Sequence, residues 1–432
     1  MIMLLSPEKI LSDLIRIDSS NPPGNEIAVA KYLKQIFEQA GAKTKTIESE
    51  KNRGSFVAKI GSGSKKLLYL SHSDVVPVGD GWDFEPFSGE IKDGIVYGRG
   101  SLDCKDLMAA QTSAALQLIE EKTPLHGELI LVATADEEAG GRLGAGYLTE
   151  NYSDLIEADY AVNEGADHPI ILDGKMIYFL QVGEKGTAWC KLRSYGKSGH
   201  GSVPSLADNA VVKMAKAVSR LHNYRAEIVI IPEIKNLLKN LANLSSIDID
   251  INPENVDELL EKLPFDKAFI ESLRSMTRMT ISPNIISGGN KTNIVPDYCE
   301  ADIDIRILPG QDCEYVESEM RMVVSKDIEI EFTEYHAPTF SSSKEEFYKM
   351  LEEITLELAG NETLCLPIIS TGSTDSKYIR NLGIPAYGVG HMSVGFDPQI
   401  RTTIHGRNER TDIESLHFKT AFFKKLAQRY LG

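Results

Sequence analysis

The stretch Glu128-Leu-Ile-Leu-Val-Ala-Thr-Ala-Asp-Glu137-Glu138 decides the fold, because a nearly continuous apolar run ends abruptly in acidic residues. A run of this kind is typical of a strand in a sheet that is covered by helices on both faces. We predict this strand over residues 128–135 and similar strands over 55–60, 66–71 and 159–162. A helix is predicted at about 107–121, so the first part of the chain is an α/β domain.

The chain has 432 residues, which is more than one hydrophobic core usually supports, so two or three domains are expected. After Val182 the pattern changes to four strands and two helices, which predict an inserted α+β domain. These strands are predicted over 188–195, 280–287, 300–307 and 328–335, and the helices over 209–221 and 314–324. Residues 232–273 predict additional helices. The resulting domain boundaries are 1–184, 185–337 and 338–432, where the first and last segments form one α/β domain with a mixed, largely parallel sheet flanked by helices.

Composition excludes several classes of protein. The 42% apolar and 25% charged residues are ordinary for a globular protein, and no apolar run reaches the roughly 20 residues that cross a bilayer. With 46 basic and 63 acidic residues the formal charge is −17, which disfavours nucleic acid as a partner. The apolar start at residues 1–5 is too short for a signal peptide, so we expect a cytoplasmic protein without membrane partners.

The five cysteines are odd in number and scattered, and none forms a CxxC pair. A disulfide framework and a thiolate zinc site are therefore not indicated.

Acidic residues and a histidine follow successive predicted strands. His72 follows the strand at 66–71, Glu137 and Glu138 follow the strand at 128–135, and Glu164 follows the strand at 159–162. Asp74 lies two residues after His72, where its carboxylate can accept the second imidazole N–H. Since the carboxyl ends of such strands meet at one edge of a sheet, these side chains are expected to share a cleft.

Asp103 follows the glycine turn Gly98-Arg-Gly100, which allows the backbone to place a carboxylate inside a cleft. A carboxylate can use both oxygens and so bridge two cations held about 3.5–4 Å apart. Taken singly, each residue has an ordinary interpretation, such as a structural histidine, a turn aspartate or a solvated acidic turn. Together, one histidine and several acids at successive strand ends favour a two-metal hydrolase.

With these motifs in the same order and spacing, the chain resembles the M20 family of dinuclear zinc amidohydrolases and metallopeptidases, which includes deacylases, desuccinylases and carboxypeptidases. The resemblance runs from Ile15-Arg-Ile-Asp-Ser-Ser-Asn-Pro-Pro-Gly24 to His405-Gly-Arg-Asn-Glu409. It implies two Zn²⁺ ions per subunit, with Co²⁺ or Mn²⁺ as alternatives. It also implies a cis peptide bond between Asp103 and Cys104.

The resemblance assigns a role to each residue of the cleft. It implies metal ligands at His72, Asp103, Glu138, Glu164 and His405, where His72 and Glu164 hold one zinc, Glu138 and His405 hold the other, and Asp103 bridges them. Glu137 would be the general base that activates a metal-bridging hydroxide for attack on an amide carbonyl.

The resemblance also implies that the insert is a lid and dimerisation domain. His200, in Gly196-Lys-Ser-Gly-His200, would reach across a homodimer and stabilise the oxyanion in the partner's site. Asn293, Arg306 and Thr374 match positions that contact substrate, and the guanidinium of Arg306 suits a substrate carboxylate. From the residues alone, a turn histidine between glycines is the preferred interpretation of His200, and Arg306 is equally a strand arginine in a salt bridge.

The predicted function is hydrolysis of an amide bond in N-acyl amino acids or small peptides. The sequence leaves open whether the enzyme is a deacylase or desuccinylase on one side, or a carboxypeptidase or dipeptidase on the other. Two alternatives remain, a carbamoyl or ureide amidohydrolase that uses the same site and a non-catalytic dimeric binding module of the same fold. Intact Glu137 and a complete ligand set argue against the second alternative.

Overall fold

The computed structural model describes residues 5–166, 168–360 and 362–432. The first four residues, on which the predicted start of the first domain and most of the apolar N-terminal segment fall, lie outside the described residues. The chain divides into two compact units. Unit 1 comprises Met1–Val182, Ser341–Ile368 and Ser373–Gly432, and unit 2 comprises Gly183–Phe340 and Ile369–Gly372.

The elements of unit 1 alternate between helices and strands, as the apolar periodicity predicts. Before unit 2 they are α1 (Pro7–Ile15), α2 (Glu26–Gln39), β1 (Lys43–Glu50), β2 (Arg53–Gly61), β3 (Lys66–His72), β4 (Ile91–Lys92), β5 (Ile95–Tyr97), α3 (Lys105–Glu120), β6 (Glu128–Thr134), α4 (Tyr147–Asn151), α5 (Ser153–Ile156), β7 (Tyr160–Asn163), β8 (Ile170–Leu172) and β9 (Lys175–Glu184). The last two residues of β9 belong to unit 2.

The elements of unit 2 follow β9. They are β10 (Gly186–Tyr195), β11 (Gly199–His200), α6 (Ala210–Asn223), α7 (Pro232–Leu244), α8 (Val256–Lys262), α9 (Lys267–Ser275), β12 (Thr280–Gly288), β13 (Ile294–Val295), β14 (Tyr298–Ile307), α10 (Cys313–Val323), β15 (Ile328–His336) and β16 (Thr339–Phe340). The chain then completes unit 1 with α11 (Glu346–Ala359), β17 (Thr363–Ser370), α12 (Ser376–Asn381), β18 (Ala386–Val389), β19 (Arg410–Asp412) and α13 (Ile413–Leu431), except that the last two residues of β17 belong to unit 2.

The main sheet of unit 1 has the strand order β1-β2-β6-β3-β7-β18-β9, and β8 and β17 also pair with β9. The central strands β6, β3, β7 and β18 are parallel neighbours. The pairs β1–β2, β2–β6, β18–β9 and β8–β9 are antiparallel. The predicted mixed α/β fold is confirmed, and its four central strands run parallel to one another.

The central strands are buried because both faces of the sheet are covered. In β3 and β6, every residue except the first is buried. Helix α3 is buried along most of its length and packs against α1 and α13. This burial explains why these strands appear in the sequence as continuous apolar runs rather than as alternating ones.

Unit 2 is an antiparallel sheet covered by helices. Its strand order is β12-β14-β10-β15, so β12 and β15 are the edge strands. Helix α6 packs on β10, β12 and β14, and its buried residues join the core of the sheet. The segment from residue 232 to 273 forms α7, α8 and most of α9, in agreement with the predicted additional helices.

Within the described residues, no helix has both the length and the apolar character that crossing a bilayer requires.

Candidate metal centre

The carboxyl ends of the parallel strands bring the predicted acids and His72 to one edge of the unit 1 sheet. His72 is the last residue of β3, and Glu164 follows β7 directly. Glu137 and Glu138 begin a 3₁₀ turn three residues after β6. Because β6, β3 and β7 are adjacent and parallel, their ends open into the same cleft.

Asp103 lies between two histidines, with one carboxylate oxygen directed to each. Its Oδ1 is 3.0 Å from Nε2 of His72, and its Oδ2 is 3.0 Å from Nε2 of His405. A carboxylate that presents its two oxygens to two different sets of ligands has the geometry of a bridging ligand.

The ligand atoms form two groups that share Asp103. His72 Nε2 lies 3.8 Å from Oε1 of Glu164 in the first group, and His405 Nε2 lies 3.3 Å from Oε1 of Glu138 in the second. Within each group the candidate atoms lie within 4.8 Å of one another. Ligand atoms that surround one tetrahedral ion at about 2.0–2.2 Å lie a few ångströms from one another. The separations within each group are therefore compatible with one divalent cation. The Oε1 of Glu138 is buried and faces the imidazole of His405, as expected of a ligand atom in this group.

The cluster carries surplus negative charge. Hydrogen bonds to Asp103 and Glu138 raise the pKa of His405 to about 10. Burial raises the pKa of Glu164 to about 8, and the nearby charges of Asp103 and Glu138 raise it further. Both shifts have the direction that bound cations would reverse, because a cation favours the deprotonated ligand.

Asp74 corrects one detail of the sequence prediction. Nδ1 of His72 lies 3.0 Å from the main-chain oxygen of Asp74, whereas the Asp74 carboxylate is 3.6 Å away. That carboxylate instead accepts the backbone N–H groups of Glu137 and Glu138, both at 3.0 Å, and the side-chain amide of Asn21 at 2.8 Å. Two consecutive N–H groups of a turn match the two oxygens of one carboxylate, so Asp74 positions the turn that carries Glu137.

Glu137 has the environment of a general acid or base. Its side chain is half-buried, and burial raises its pKa well above the usual range. The neighbouring charges of Glu164 and Asp375 act in the same direction. A carboxyl group with a raised pKa can both take up and release a proton near neutral pH.

A buried ion network, which no local sequence pattern indicates, supports the same turn. Nη2 of Arg53 donates to Oε1 of Glu26 at 2.7 Å and to Oδ1 of Asp136 at 2.8 Å. Oδ2 of Asp136 accepts the N–H of Leu143 at 2.9 Å. Asp136 has φ of 70°, so these contacts hold a left-handed residue directly before Glu137.

A second buried pair fixes the bridging ligand. Nη1 of Arg99 donates to Glu409 at 2.6 Å, and the other Glu409 oxygen accepts the N–H groups of Leu102 and Asp103 at 2.9 and 3.1 Å. Arg99 also donates to the main-chain oxygen of His405 at 3.4 Å. The pair therefore connects the turn of Asp103 to the loop of His405. The sequence motif included Glu409, but no role had been assigned to it.

The predicted cis peptide bond between Asp103 and Cys104 is confirmed. The buried Sγ of Cys104 accepts the backbone N–H of His72 at 3.3 Å and lies among the candidate ligand atoms of the first group.

Thr374, predicted to contact substrate, lies at the start of a helix. It is 6% exposed, and its Oγ1 accepts the N–H of Ser376 in the first turn of α12. The neighbouring Asp375 lies close enough to Glu137 for its charge to raise the pKa of Glu137. One of its oxygens accepts the hydroxyl of Thr134 at 2.6 Å, and the other is buried without a hydrogen-bond partner among the described residues. Thr374 therefore starts a helix.

In unit 2, the structure brings His200 and Asn293 together. His200 ends the short strand β11, and the N–H of the next residue, Gly201, donates to the main-chain oxygen of Asn293 at 2.9 Å. Both residues are exposed. Nδ1 of His200 accepts the hydroxyl of Ser202 at 2.7 Å if that nitrogen is unprotonated, which leaves Nε2 as the protonated atom.

Arg306 lies near the opposite end of β14 and forms the salt bridge that the sequence had left as an alternative. Its Nε donates to Oδ1 of Asp304 at 2.8 Å, and its Nη1 donates to Thr187 at 3.1 Å. The guanidinium also lies 5.7 Å from the ring centre of Trp189. A substrate carboxylate at this position would share Arg306 with Asp304.

Comparison with known proteins gives a family match over most of the chain. The model of peptidase family M20/M25/M40 matches residues 68–429. The matched range includes all five candidate metal ligands and Glu137.

Two curated relatives and one solved structure illustrate the range of similar proteins. The chain is 26% identical over 377 residues to a probable succinyl-diaminopimelate desuccinylase of Staphylococcus aureus (strain MRSA252), covering 85% of this chain and 84% of the relative. It is 28% identical over 381 residues to the human N-fatty-acyl-amino acid synthase/hydrolase, covering 84% and 73%. The crystal structure of an M20 family metallo-carboxypeptidase from Sulfolobus solfataricus matches with a TM-score of 0.74 and 24% identity over 97% of this chain and 98% of that one. This last similarity is one of fold.

Proposed function

Because the chain belongs to peptidase family M20/M25/M40, a family of metal-dependent hydrolases, we propose that it cleaves the amide bond of N-acyl amino acids or small peptides. The observation that carries the proposal is Asp103, whose two oxygens each lie 3.0 Å from a different histidine. Each histidine is joined by one glutamate, and the group of His72 also includes Cys104. We expect the reaction to take place in the cytoplasm.

The donor set fits two divalent cations. His72 and Glu164 would hold one ion, Glu138 and His405 would hold the other, and Asp103 would bridge them. Imidazole nitrogens with carboxylate oxygens suit Zn²⁺, and Co²⁺ or Mn²⁺ are alternatives. When bound, such ions polarise an amide carbonyl and lower the pKa of water.

Glu137 would move the proton. In the proposed reaction it takes a proton from the attacking water and later returns it to the nitrogen of the leaving amine, so no net proton is gained. Its raised pKa allows it to hold that proton between the two steps. Asp74 accepts the N–H groups of Glu137 and Glu138 and so keeps the base beside a metal ligand.

A substrate screen with metal-loaded protein tests the proposal. The protein is loaded with Zn²⁺, Co²⁺ or Mn²⁺ and assayed on N-acetyl and N-succinyl amino acids, dipeptides and N-carbamoyl amino acids, and Glu137→Ala serves as the blank. We expect hydrolysis of at least one N-acyl amino acid or dipeptide that the blank does not cleave. Hydrolysis of carbamoyl substrates alone would favour the ureide alternative, and inactivity under every metal would contradict the proposal.

We further propose that the enzyme acts as a homodimer through unit 2. Strand β12 lies at the edge of its sheet, and the side chains of Ile285 and Ile286 on it are 60% and 55% exposed. Val212 of α6 is also exposed. Exposed apolar side chains on an unpaired edge strand are typical of a surface that pairs with another chain.

The positions of the substrate-contact residues along unit 2 support a dimer. His200 and Asn293 lie near the start of β14, because only two residues separate β13 from that strand. Arg306 lies near the end of β14. Eight residues of strand separate Tyr298 from Arg306, about 26 Å at 3.3 Å per residue. A dipeptide spans only about 7 Å. One substrate therefore cannot contact both ends of the same unit 2, and two chains would have to supply them.

A further inference from the structure

A cavity of about 120 Å³ lies beside the proposed metal ligands in unit 1. Asp103 and Glu164 form part of its wall. Most of the remaining wall is apolar and is formed by Leu102, Leu107, Ala166, Val389 and Ile404. Since Asp103 and Glu164 belong both to the cavity wall and to the candidate metal centre, the cavity is adjacent to the place where the proposed reaction occurs.

The polar part of the wall is a buried ion pair. Asp106 of α3 and Lys419 of α13 form a salt bridge, and their side chains are 2% and 4% exposed. His168 also lines the cavity, and burial together with the charge of Lys419 lowers its pKa to about 3, so its imidazole is neutral. Apart from the metal ligands, the wall therefore has one positive and one negative charge, which neutralise each other.

We propose that this cavity receives an uncharged substituent of the scissile amide, about four to six non-hydrogen atoms in size, and that the Asp106–Lys419 pair excludes charged substituents. The inference rests on the proposed amidohydrolase function. The size follows from comparison with an engineered protein cavity of about 150 Å³, which binds benzene.

The charge selectivity follows from the ion pair. A substrate carboxylate in the cavity would share Lys419 with Asp106 and leave one buried negative charge without a partner, which is costly at low dielectric. A substrate ammonium would find Asp106 already paired with Lys419. An uncharged aliphatic substituent disturbs neither charge and gains from contact with Leu102 and Leu107.

Two substrate series measure the size and charge preference. One varies the acyl group from acetyl to octanoyl on a fixed amino acid and includes succinyl, and the other varies the amino acid from alanine to norleucine under a fixed acyl group and includes glutamate and lysine. In the series whose variable group enters the cavity, we expect kcat/KM to rise about fourfold per methylene until the group fills the cavity, and then to fall. The charged members of that series should be roughly a hundredfold poorer than uncharged ones of similar size. A flat profile in both series, or a preference for charge, would overturn the inference.

Two variants and a matched control test the wall itself. Asp106→Asn leaves Lys419 as an unpaired cation, so the ratio of kcat/KM for the carboxylate substituent to that for its uncharged counterpart should rise at least tenfold. Ala166→Leu fills part of the cavity, so the preferred substituent should become shorter by two or three carbon atoms. The control is Glu121→Gln, because Glu121 pairs with Lys424 at the exposed end of the same two helices. It should leave the profile unchanged, and an equal change in the control and Asp106→Asn would reject the role of the pair.

A binding measurement separates failure of this inference from failure of the proposed function. Acyl hydroxamates and amino acid hydroxamates of graded length are titrated into zinc-loaded protein by calorimetry, since they bind metal without being cleaved. If no amide is hydrolysed, the proposed function fails, and the cavity is still judged by these affinities. An optimum at four to six atoms with rejection of charge supports the inference, and equal affinities across both series reject it.

Discussion

At the scale of single residues, the candidate site depends on which atom of each side chain faces which neighbour. Asp103 has two carboxylate oxygens that face two different histidines, and Asp74 has two oxygens that accept two consecutive backbone N–H groups. Both are aspartates and both are close to His72. One is suited to bind cations because its oxygens remain available, and the other positions the turn because its oxygens are already used.

Glu137 can be tested by a change that keeps its shape. Glu137→Gln removes the proton-transfer group and retains the backbone N–H that Asp74 accepts, so kcat should fall by about 10² to 10⁴ while two metal ions per chain remain bound. Steady-state kinetics and elemental analysis of the metal-loaded protein measure the two quantities. The exposed Glu150→Gln on α4 is the control. Loss of metal in parallel with loss of activity would indicate that Glu137 is a ligand and not the base.

Lys185 provides a pH-dependent prediction in unit 2. It is 1% exposed and donates to the main-chain oxygens of Ser275 and Arg278, and burial lowers its pKa to about 7. Between this value and the ordinary 10.5, the unfolded chain binds more protons than the folded chain, so the contribution of Lys185 to the free energy of unfolding rises with pH.

The measurement compares wild type with Lys185→Met in urea at pH 7, 8 and 9. The variant lacks this titration, so the difference in unfolding free energy, wild type minus variant, should increase with pH. Parallel pH profiles of the two proteins would contradict the lowered pKa.

The clustering of His72 and Glu164 could be predicted from local position, whereas the ligand roles of all five residues rest on the family resemblance and stay a prediction. A residue directly after a parallel strand faces the cleft whatever the rest of the chain does, and this places His72 and Glu164. The supporting pairs could not be predicted in this way. Arg99 and Glu409 are 310 residues apart, and no local sequence pattern indicates that the two residues pair.

At the scale of elements, strands were predicted well where burial is complete and poorly where it is not. The fully buried β3 and β6 appear as apolar runs. Strand β1, with the sequence Lys-Thr-Lys-Thr-Ile-Glu-Ser-Glu, buries only Ile47, because it lies at the edge of the sheet. Its residues are nearly all polar, so they show no alternation of apolar and polar residues that would distinguish a strand from a loop. Strand β9 is buried at every residue except the first, but it falls where the pattern changes to that of unit 2, so the sequence pattern does not predict it.

The ion network between α2, β2 and the turn after β6 leads to a stability prediction. Arg53→Met leaves the buried carboxylates of Glu26 and Asp136 without their cation, so the free energy of unfolding should fall by about 3–5 kcal/mol. The matched control is Lys59→Met on the same strand, because the Lys59–Glu128 pair is partly exposed and should cost no more than about 1 kcal/mol.

Urea unfolding monitored by circular dichroism measures both variants. Since Asp136 precedes Glu137, kcat of Arg53→Met should also fall, measured at a temperature where the variant is fully folded. Equal destabilisation by Arg53→Met and Lys59→Met would mean that the network contributes no more than a surface pair.

At the scale of the whole molecule, the two units could be predicted to differing degrees. The strands of unit 2 were recognisable because β10 and β14 alternate between buried and exposed residues, as one-sided sheets do. The function of unit 2 was not readable from that alternation. His200, Asn293 and Arg306 are ordinary polar residues in a strand or a turn, and their roles depend on which active site they reach, which only an assembly decides.

Subunit mixing tests the assembly directly. The Glu137→Gln variant retains His200 but lacks the base, and the His200→Ala variant retains Glu137 but lacks the lid histidine. A homodimer of either variant should therefore be nearly inactive. If His200 acts in the partner's site, a heterodimer of the two contains one complete site, formed by Glu137 of one chain and His200 of the other. Random exchange makes half of the dimers mixed, so the mixture should regain about a quarter of wild-type activity.

If His200 serves its own chain, no combination restores a site, and the mixture stays as inactive as its components. Light scattering must first show a dimer, and the mixture of each variant with itself is the control for exchange. Recovery of activity would require the exposed edge of β12 or another surface of unit 2 to hold the two chains together. Replacing both Ile285 and Ile286 by lysine should then abolish the recovery together with the dimer, because two buried charges would face each other across the strand pair.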